Sequence, residues 1–183
     1  SAPECSAHAY AACELRTRAP EGGGWETAFD VVKLAYESAP TLWATRALYS
    51  HARARKDDAL VLVALSRLLD ESTRASETAS LLLRASEAAA RLGSPEDAKT
   101  YLERAAAADP GDVITWGFLA EVRSHAGDLR GAAEACESQA RTSVVREHQL
   151  VAWYDAARTW LESLGDEERG VLALEQAAML DAS

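Results

Sequence analysis

A glycine followed five residues later by an alanine occurs at Gly93 and Ala98 and again, 34 residues further on, at Gly127 and Ala132. A recurrence at a fixed period of about 20 to 50 residues is typical of repeat architectures. Each repeat is one small unit that cannot bury its own apolar surface, so neighbouring units must stack. The spacing therefore predicts an array of repeats.

The sequence between these markers predicts helices. Ala, Leu, Glu and Arg, which favour helix, dominate the chain, and only five prolines interrupt it. Val, Ile and Thr are too scattered to form strands. The stretch Ser94 to Asp97 has the order of an N-cap, a first-turn proline and two acids. The predicted fold class is all-α, an α-solenoid of about five antiparallel helix pairs.

The region after Gly93 resembles the second half of a tetratricopeptide repeat (TPR). In that family a glycine closes the first helix, and a small, a large apolar and a small residue follow, as at Ala98, Leu102 and Ala105; Asp109-Pro110 stands where the second helix ends. Trp116 opens the next first helix, where the family favours tryptophan. The resemblance is clear over residues 79–183 and looser over 5–78, and it implies a TPR-like superhelix.

The remaining copies follow with less regular spacing. A third copy comes after 38 residues, which predicts four extra residues near 142–149; its markers are Gly165, Gly170, Leu174 and Ala177. Upstream, Trp43, Ala47, Ala59 and Val63 fit the same template, as do Ala28, Val32 and Ala35, with turns at Gly22-Gly23-Gly24 and Lys56-Asp57-Asp58. We predict a single array over 1–183 with approximate units 5–39, 40–73, 79–112, 113–150 and 151–183.

The packing of such pairs depends on side-chain size. Ala98, Ala105, Ala132 and Gly170 are predicted to let the two helix backbones approach closely. The large side chains beside them are expected to bury against the adjacent pair. Those side chains are Trp116, Tyr154, Leu102 and Leu174, and Trp153, Tyr154, Ala157 and Leu161 are predicted to form one buried stripe.

The resemblance implies that first helices line a concave groove for a partner protein or peptide. Carried over by position, the candidate partner-binding residues are Leu48, His51, Leu83, Glu87, Ile114, Glu121, Asp155, Thr159 and Glu162. Ala44, Gly117 and Ala152 belong to the same set. The groove lacks the Lys, Asn and Arg with which one TPR subgroup grips a terminal carboxylate, so a basic or apolar segment is the predicted partner. The alternative is that the acidic stripe is an ordinary solvated face.

Charge and hydropathy exclude several partners. A formal charge of −10 would repel a phosphate backbone, so no nucleic acid is expected. The apolar stretch 60–65 is too short to span a membrane. Three cysteines do not make a disulfide framework, which favours a reducing compartment and predicts a cytoplasmic protein.

The sequence predicts no enzyme and no cofactor. Cys5, His8 and Cys13 would point in different directions on one helix, so no metal site is expected. Cys136 is predicted to be buried and inert. His51 and His125 fall in the last turn of first helices, where a positive charge is favoured.

These observations predict a protein-interaction scaffold. The chain starts without Met and stops just after its third clear unit, which suggests a segment of a larger protein. Two alternatives stay open. One is self-assembly, with a homodimer formed through exposed stack ends, and the other is a helical accessory domain of an enzyme or regulator.

Overall fold

The computed structural model describes residues 24–181, with side chains from Ala28 onward. Within that range the chain forms α-helices and no strand, which confirms the all-α prediction. The helices are α1 (Gly24–Ser38), α2 (Leu42–Arg55), α3 (Asp58–Glu71), α4 (Ala75–Arg91), α5 (Pro95–Ala108), α6 (Val113–His125), α7 (Leu129–Thr142), α8 (Arg146–Arg158) and α9 (Glu167–Asp181). The positions Cys5, His8, Cys13, Gly22 and Gly23 lie outside the described residues.

The contacts group into two compact units. Of the described residues, the first unit contains 24–73 together with 87–94, and its core is formed by Ala28, Val32, Ala47, Leu48 and Ala64. The second unit contains residues 74–86 and 95–181. The core of the second unit is centred on Leu102, Leu119 and Ala135 and, further along the chain, on Trp153, Ala156 and Trp160.

Residues in the left-handed conformation close the first helices of the pairs. Gly93 and Gly127 have φ angles of +78° and +79°. After α4, the amide of Gly93 donates to the Ala90 carbonyl and that of Ser94 to the Ala89 carbonyl, both at 3.0 Å. This double hydrogen bond is the Schellman arrangement, which glycine adopts without steric cost. The closing role predicted for both glycines is confirmed.

Lys56 takes the same place at the end of α2. Its φ of 58° is the positive value of a non-glycine residue, and its amide and that of Asp57 donate to the carbonyls of Arg53 and Ala52. Asp57 then caps α3 by accepting from the Leu60 amide at 3.1 Å. The predicted turn at Lys56-Asp57-Asp58 is therefore present, with lysine in a conformation that side chains disfavour.

The second helix of each pair carries a triplet of residues spaced four and three apart. These triplets are Ala28, Val32, Ala35; Val61, Leu65, Leu68; Ala98, Leu102, Ala105; Ala132, Cys136, Gln139; and Gly170, Leu174, Ala177. All of them are buried except Cys136, Gln139 and Leu174. The close-packing role predicted for the small residues is thus consistent with their burial, and α1 has the features of a second helix.

The register predicted for the second pair is wrong by two residues. The interval between the second and third pairs is 37 residues. It separates Lys56 from Gly93, and the triplet Val61, Leu65, Leu68 from Ala98, Leu102, Ala105. The sequence had placed Ala59 and Val63 at these positions, and both are exposed. Trp43, predicted to open the buried face, is 65% exposed. Without a closing glycine, the sequence offered no fixed point for this alignment.

The extra residues of the last pair lie in two places. Thr115, Leu119 and Ala120 of α6 are buried, and the buried Ala152, Ala156 and Ala157 of α8 follow them by 37 residues. The closing glycines Gly127 and Gly165 are 38 apart. The regular interval is 34 residues, so an interval of 37 means that three of the four extra residues precede Ala152. They lie within the predicted region 142–149 and add a first turn to α8.

The fourth extra residue is absorbed by a π-helical turn. Helix α8 continues directly into the turn Thr159–Ser163, in which the Leu164 amide donates to the Thr159 carbonyl at 3.1 Å. A single inserted residue in an α-helix commonly produces such a turn. The turn buries Trp160 completely, so the insertion is built into the core of the last pair.

Candidate partner-binding surface

Large apolar side chains are exposed on the first helices of the second unit. On α6, Ile114 is 60% and Phe118 41% exposed. On α8, Val151 is 61% and Tyr154 52% exposed. Val151 follows Ile114 by the 37 residues that relate the two helices, and Tyr154 follows Gly117 by the same interval. The same face of both helices therefore presents apolar surface.

The interval between α6 and α8 is 37 residues and not the predicted 38, so the predicted groove positions on α8 are displaced by one residue. Ala152 is 3% exposed, so it cannot contact a partner. Asp155, Thr159 and Glu162 were assigned with a spacing of 38, whereas 37 makes Val151, Tyr154 and Arg158 the equivalents of Ile114, Gly117 and Glu121. The burial predicted for Tyr154 is wrong for the same reason. The 37-residue interval from Trp116 to Trp153 was the sequence signal that gives the correct register.

The charges on these helices are partly neutralised. Asp155 forms an ion pair with Arg158 at 2.9 Å, and Glu87, in the first unit, lies 4.0 Å from Arg91. Glu121 and Glu162 are exposed and form no ion pair within residues 28–181. The surface is consequently less acidic than the count of carboxylates suggests.

The first unit corrects two of the predicted positions. Leu48 is 1% exposed and Ala44 2% exposed, because the two-residue register error moved core positions into the predicted groove. His51 is half-buried, and burial lowers its pKa. A neutral imidazole does not supply the positive charge at the helix end that was predicted for it. His125, by contrast, does lie in the last turn of α6.

Two further groove positions are covered by the protein itself. Leu83 is half-buried and packs against the cluster around Leu102 and Leu119. At Gly117 the side-chain amide of Gln139, from α7, lies 2.9 Å from where a Cβ would stand. These positions therefore leave Ile114, Phe118 and Glu121 as the accessible part of α6.

The last helix exposes a second apolar face. On α7, Ala133, Cys136 and Ala140 pack into the core that contains Ala152 and Ala156 of α8. Their equivalents on α9, 38 residues later, are Val171, Leu174 and Ala178, and all three are exposed. The burial predicted for Leu174 is wrong, since its side chain is 38% exposed.

Neither a reactive thiol nor a metal site is found among the described residues. Burial raises the pKa of the Cys136 thiol to about 11, so its nucleophilic thiolate form is scarce at neutral pH. Among residues 24–181 there is no group of three or more His, Cys, Asp or Glu side chains placed to hold a metal ion. None of the helices in this range has the length and hydropathy needed to cross a membrane.

Comparison with protein families matches residues 79–122 to a tetratricopeptide repeat family. This match covers most of α4, all of α5 and most of α6, within the region where the sequence resemblance is clear. No curated protein matches the chain. The resemblance to tetratricopeptide repeats predicted from the sequence is confirmed by this match and by the solved structures.

Several solved structures share the fold. A MamA protein is 14% identical, with a TM-score of 0.62 over 98% of this chain and 93% of its own. YrrB, described as a TPR protein with an unusual peptide-binding site, is 16% identical, with a TM-score of 0.57 over 87% and 79%. MamA from Desulfovibrio magneticus RS-1 is 13% identical, with a TM-score of 0.56 over 97% and 96%. The chain therefore has a TPR-like α-solenoid fold.

Proposed function

We propose that this protein binds an apolar segment of a partner protein on the first helices of its second unit, with charge in a lesser role. The observation that carries the proposal is the exposure of Ile114, Val151 and Tyr154 at matching positions of α6 and α8. Exposed apolar patches on soluble domains commonly mark interaction sites. Stacked helical repeats bind their partners on such extended surfaces.

The charge pattern narrows the predicted chemistry of the partner. Asp155 is neutralised by Arg158, which stands at the position equivalent to Glu121. Of the acids predicted to line the groove in this unit, Glu121 and Glu162 are those without an ion pair among residues 28–181. A basic residue beside an apolar stretch of the partner would suit Glu121, and its contribution should weaken with salt.

The test is a selection of peptides displayed on phage against the purified chain, followed by affinity measurements with variants. The double variant Ile114→Ser/Tyr154→Ala should weaken the selected peptides by about tenfold or more, because each change removes exposed apolar contact area. Val144→Ser is the control, since Val144 is 96% exposed and lies between α7 and α8. Glu121→Gln should weaken binding by about threefold or less, and this loss should shrink at high salt.

Two results would contradict the proposal. In the first, every selected peptide binds the double variant as tightly as the parent. In the second, Val144→Ser weakens binding as much as the double variant, which would make the effect a general loss of apolar surface.

The exposed face of α9 supports a second function, self-assembly of the chain. Val171, Leu174 and Ala178 repeat the positions with which α7 holds α8. A second copy that places a helix there would continue the stacking already present within the molecule. Sedimentation should then show a mass that rises with concentration and returns to the monomer in Leu174→Glu. Met179→Glu, at a 64% exposed position about 100° around α9 from Ala178, should leave the mass unchanged.

A further inference from the structure

A cavity of the second unit lies on the side of the second helices. It has a volume of about 520 Å³ and lies among α7, α8 and α9. Its walls include Glu137, Arg141, Trp153, Arg169, Leu172 and Gln176. Ligand sites in proteins commonly fall between about 300 and 1,000 Å³ and combine apolar walls with a few polar groups. The size and the lining therefore both fit a ligand site.

Two arginines of the cavity lining stack on tryptophan rings. The guanidinium of Arg141 lies 5.2 Å from the ring centroid of Trp153, and that of Arg169 lies 4.5 Å from the ring centroid of Trp160. A guanidinium that stacks on an aromatic face keeps its N–H edge free for hydrogen bonds. The two indoles thus hold both charges at the cavity without using up their donors.

The carboxylates nearby do not saturate these arginines. Arg141 donates to Glu137 at 2.7 Å and Arg169 donates to Glu134 at 3.0 Å. Each guanidinium has five N–H donors, so most remain available. Glu137 also accepts from Trp160 at 2.8 Å and is the one acid among the lining residues. Each guanidinium thus has one carboxylate partner, Glu137 in the lining and Glu134 beside it, and keeps unused N–H donors for a further carboxylate.

Apolar surface adjoins the two arginines. Leu172 is 52% exposed at the cavity, and the buried Trp153 and Ala173 also line it. An anion that carries an aliphatic group next to its charge would use both parts of the site. Bidentate pairing with arginine is the geometry that carboxylates favour.

We propose that this cavity binds a short peptide in which a carboxylate stands beside an aliphatic side chain. The carboxylate pairs with Arg141 and Arg169, and the aliphatic side chain lies against Leu172 and Trp153. This site goes beyond the first-helix surface described above, because it lies among different helices and prefers the opposite charge. The carboxylate belongs either to an acidic side chain within the partner or to its chain end.

The test uses fluorescein-labelled peptides and fluorescence anisotropy with the full chain. One peptide carries Leu-Glu before an amidated end, and its control carries Leu-Gln. A second pair ends in Leu with a free carboxylate or with an amide. We expect at least one carboxylate peptide to bind about tenfold more tightly than its uncharged control, since a hydrogen bond to a charged group is worth a factor of this order. The pair that shows the difference identifies the source of the carboxylate.

The variants locate the binding. Arg141→Gln and Arg169→Gln should each weaken the carboxylate peptide about tenfold and leave the uncharged control unchanged. Arg146→Gln is the matched control, because Arg146 is also an exposed arginine of the second unit paired with a carboxylate but does not line the cavity. Gln176→Trp should block binding by filling the cavity. Circular dichroism melting checks that each variant is folded.

Three outcomes would overturn this proposal. The first is equal affinity for the carboxylate peptides and their uncharged controls, and the second is no binding of any peptide up to millimolar concentration. The third is a loss of affinity in Arg146→Gln as large as that in Arg141→Gln. None of these outcomes bears on Ile114 and Tyr154, so the first-helix proposal stands or fails separately.

Discussion

Trp160 donates a 2.8 Å hydrogen bond from its indole Nε1 to Oε1 of Glu137, and this contact joins the π-helical turn after α8 to helix α7. The indole is completely buried, so its N–H has no access to water. Glu137 is in turn held by Arg141 at 2.7 Å. The π-helical turn that absorbs the inserted residue of the last pair therefore has its buried indole N–H satisfied by a hydrogen bond.

Removing the acceptor should destabilise the last pair. Glu137→Leu leaves the buried N–H of Trp160 without a partner and should lower the free energy of unfolding by about 1 to 3 kcal/mol. Glu137→Gln keeps an acceptor oxygen and should cost about 1 kcal/mol or less. The control is Glu134→Leu, one turn earlier on α7, where an exposed ion pair with Arg169 is worth about 1 kcal/mol or less. Urea unfolding compares the three, and equal losses for both leucine variants would contradict the role of the hydrogen bond.

Gly170 should not tolerate alanine. A Cβ at this position would overlap Cγ of Leu161, the branch point of a side chain that cannot simply swing away. Gly170→Ala should therefore destabilise the fold by about 1 to 3 kcal/mol despite the better helix propensity of alanine. Gly117→Ala is the control, since there the added methyl meets only the flexible end of Gln139. A thermal melt in which both variants match the parent would show that the last pair is more loosely packed than the structure has it.

Replacing Lys56 with glycine should stabilise the protein. The left-handed conformation of this lysine costs a side-chain-bearing residue about 1 to 2 kcal/mol, a cost that glycine does not carry. Lys56→Gly should therefore raise the free energy of unfolding by about 1 kcal/mol. The mirror change, Gly127→Ala, should lower it by a similar amount, because Gly127 has the same conformation. Arg46→Gly, at an exposed position inside α2, tests for a general effect of glycine and should destabilise by about 1 kcal/mol. Urea unfolding measures all three, and a loss of stability in Lys56→Gly would contradict the prediction.

Cys136 should make stability fall at high pH. Burial raises the pKa of this thiol to about 11, above its value in the unfolded chain, so the folded state retains the proton longer. The stabilising effect is complete below about pH 8.5, the pKa of a free thiol, and is lost as pH rises from there towards 11. In a Cys5→Ser/Cys13→Ser background, the further change Cys136→Ala should remove this part of the slope in urea unfolding. The thiol should also react slowly with a disulfide reagent at about pH 8, and rapid labelling of the native protein would contradict its burial.

The sequence predicted most of the fold where local signals were strong. Gly93 and Gly127 gave the period because only glycine closes these helices without cost, and the buried Ala98 and Leu102 followed from it. The triplet of α1 was also predicted correctly, since its spacing of four and three residues is a property of the helix itself. The second pair failed because Lys56 adopts the left-handed conformation without being glycine, and no sequence rule identifies such a residue.

The exposed positions of the candidate binding surface could be predicted from the sequence on α6 but not on α8. The residues of α6 followed from the 34-residue period, and Ile114 and Glu121 are exposed as expected. On α8, a shift of a single residue exchanged the exposed Val151 for the buried Ala152, because successive positions on a helix turn by about 100°. Local sequence thus determined the helices, their ends and their period. Only tertiary packing decided which face of each helix is buried, because an inserted residue can be absorbed by a turn, an extension or a π-helix.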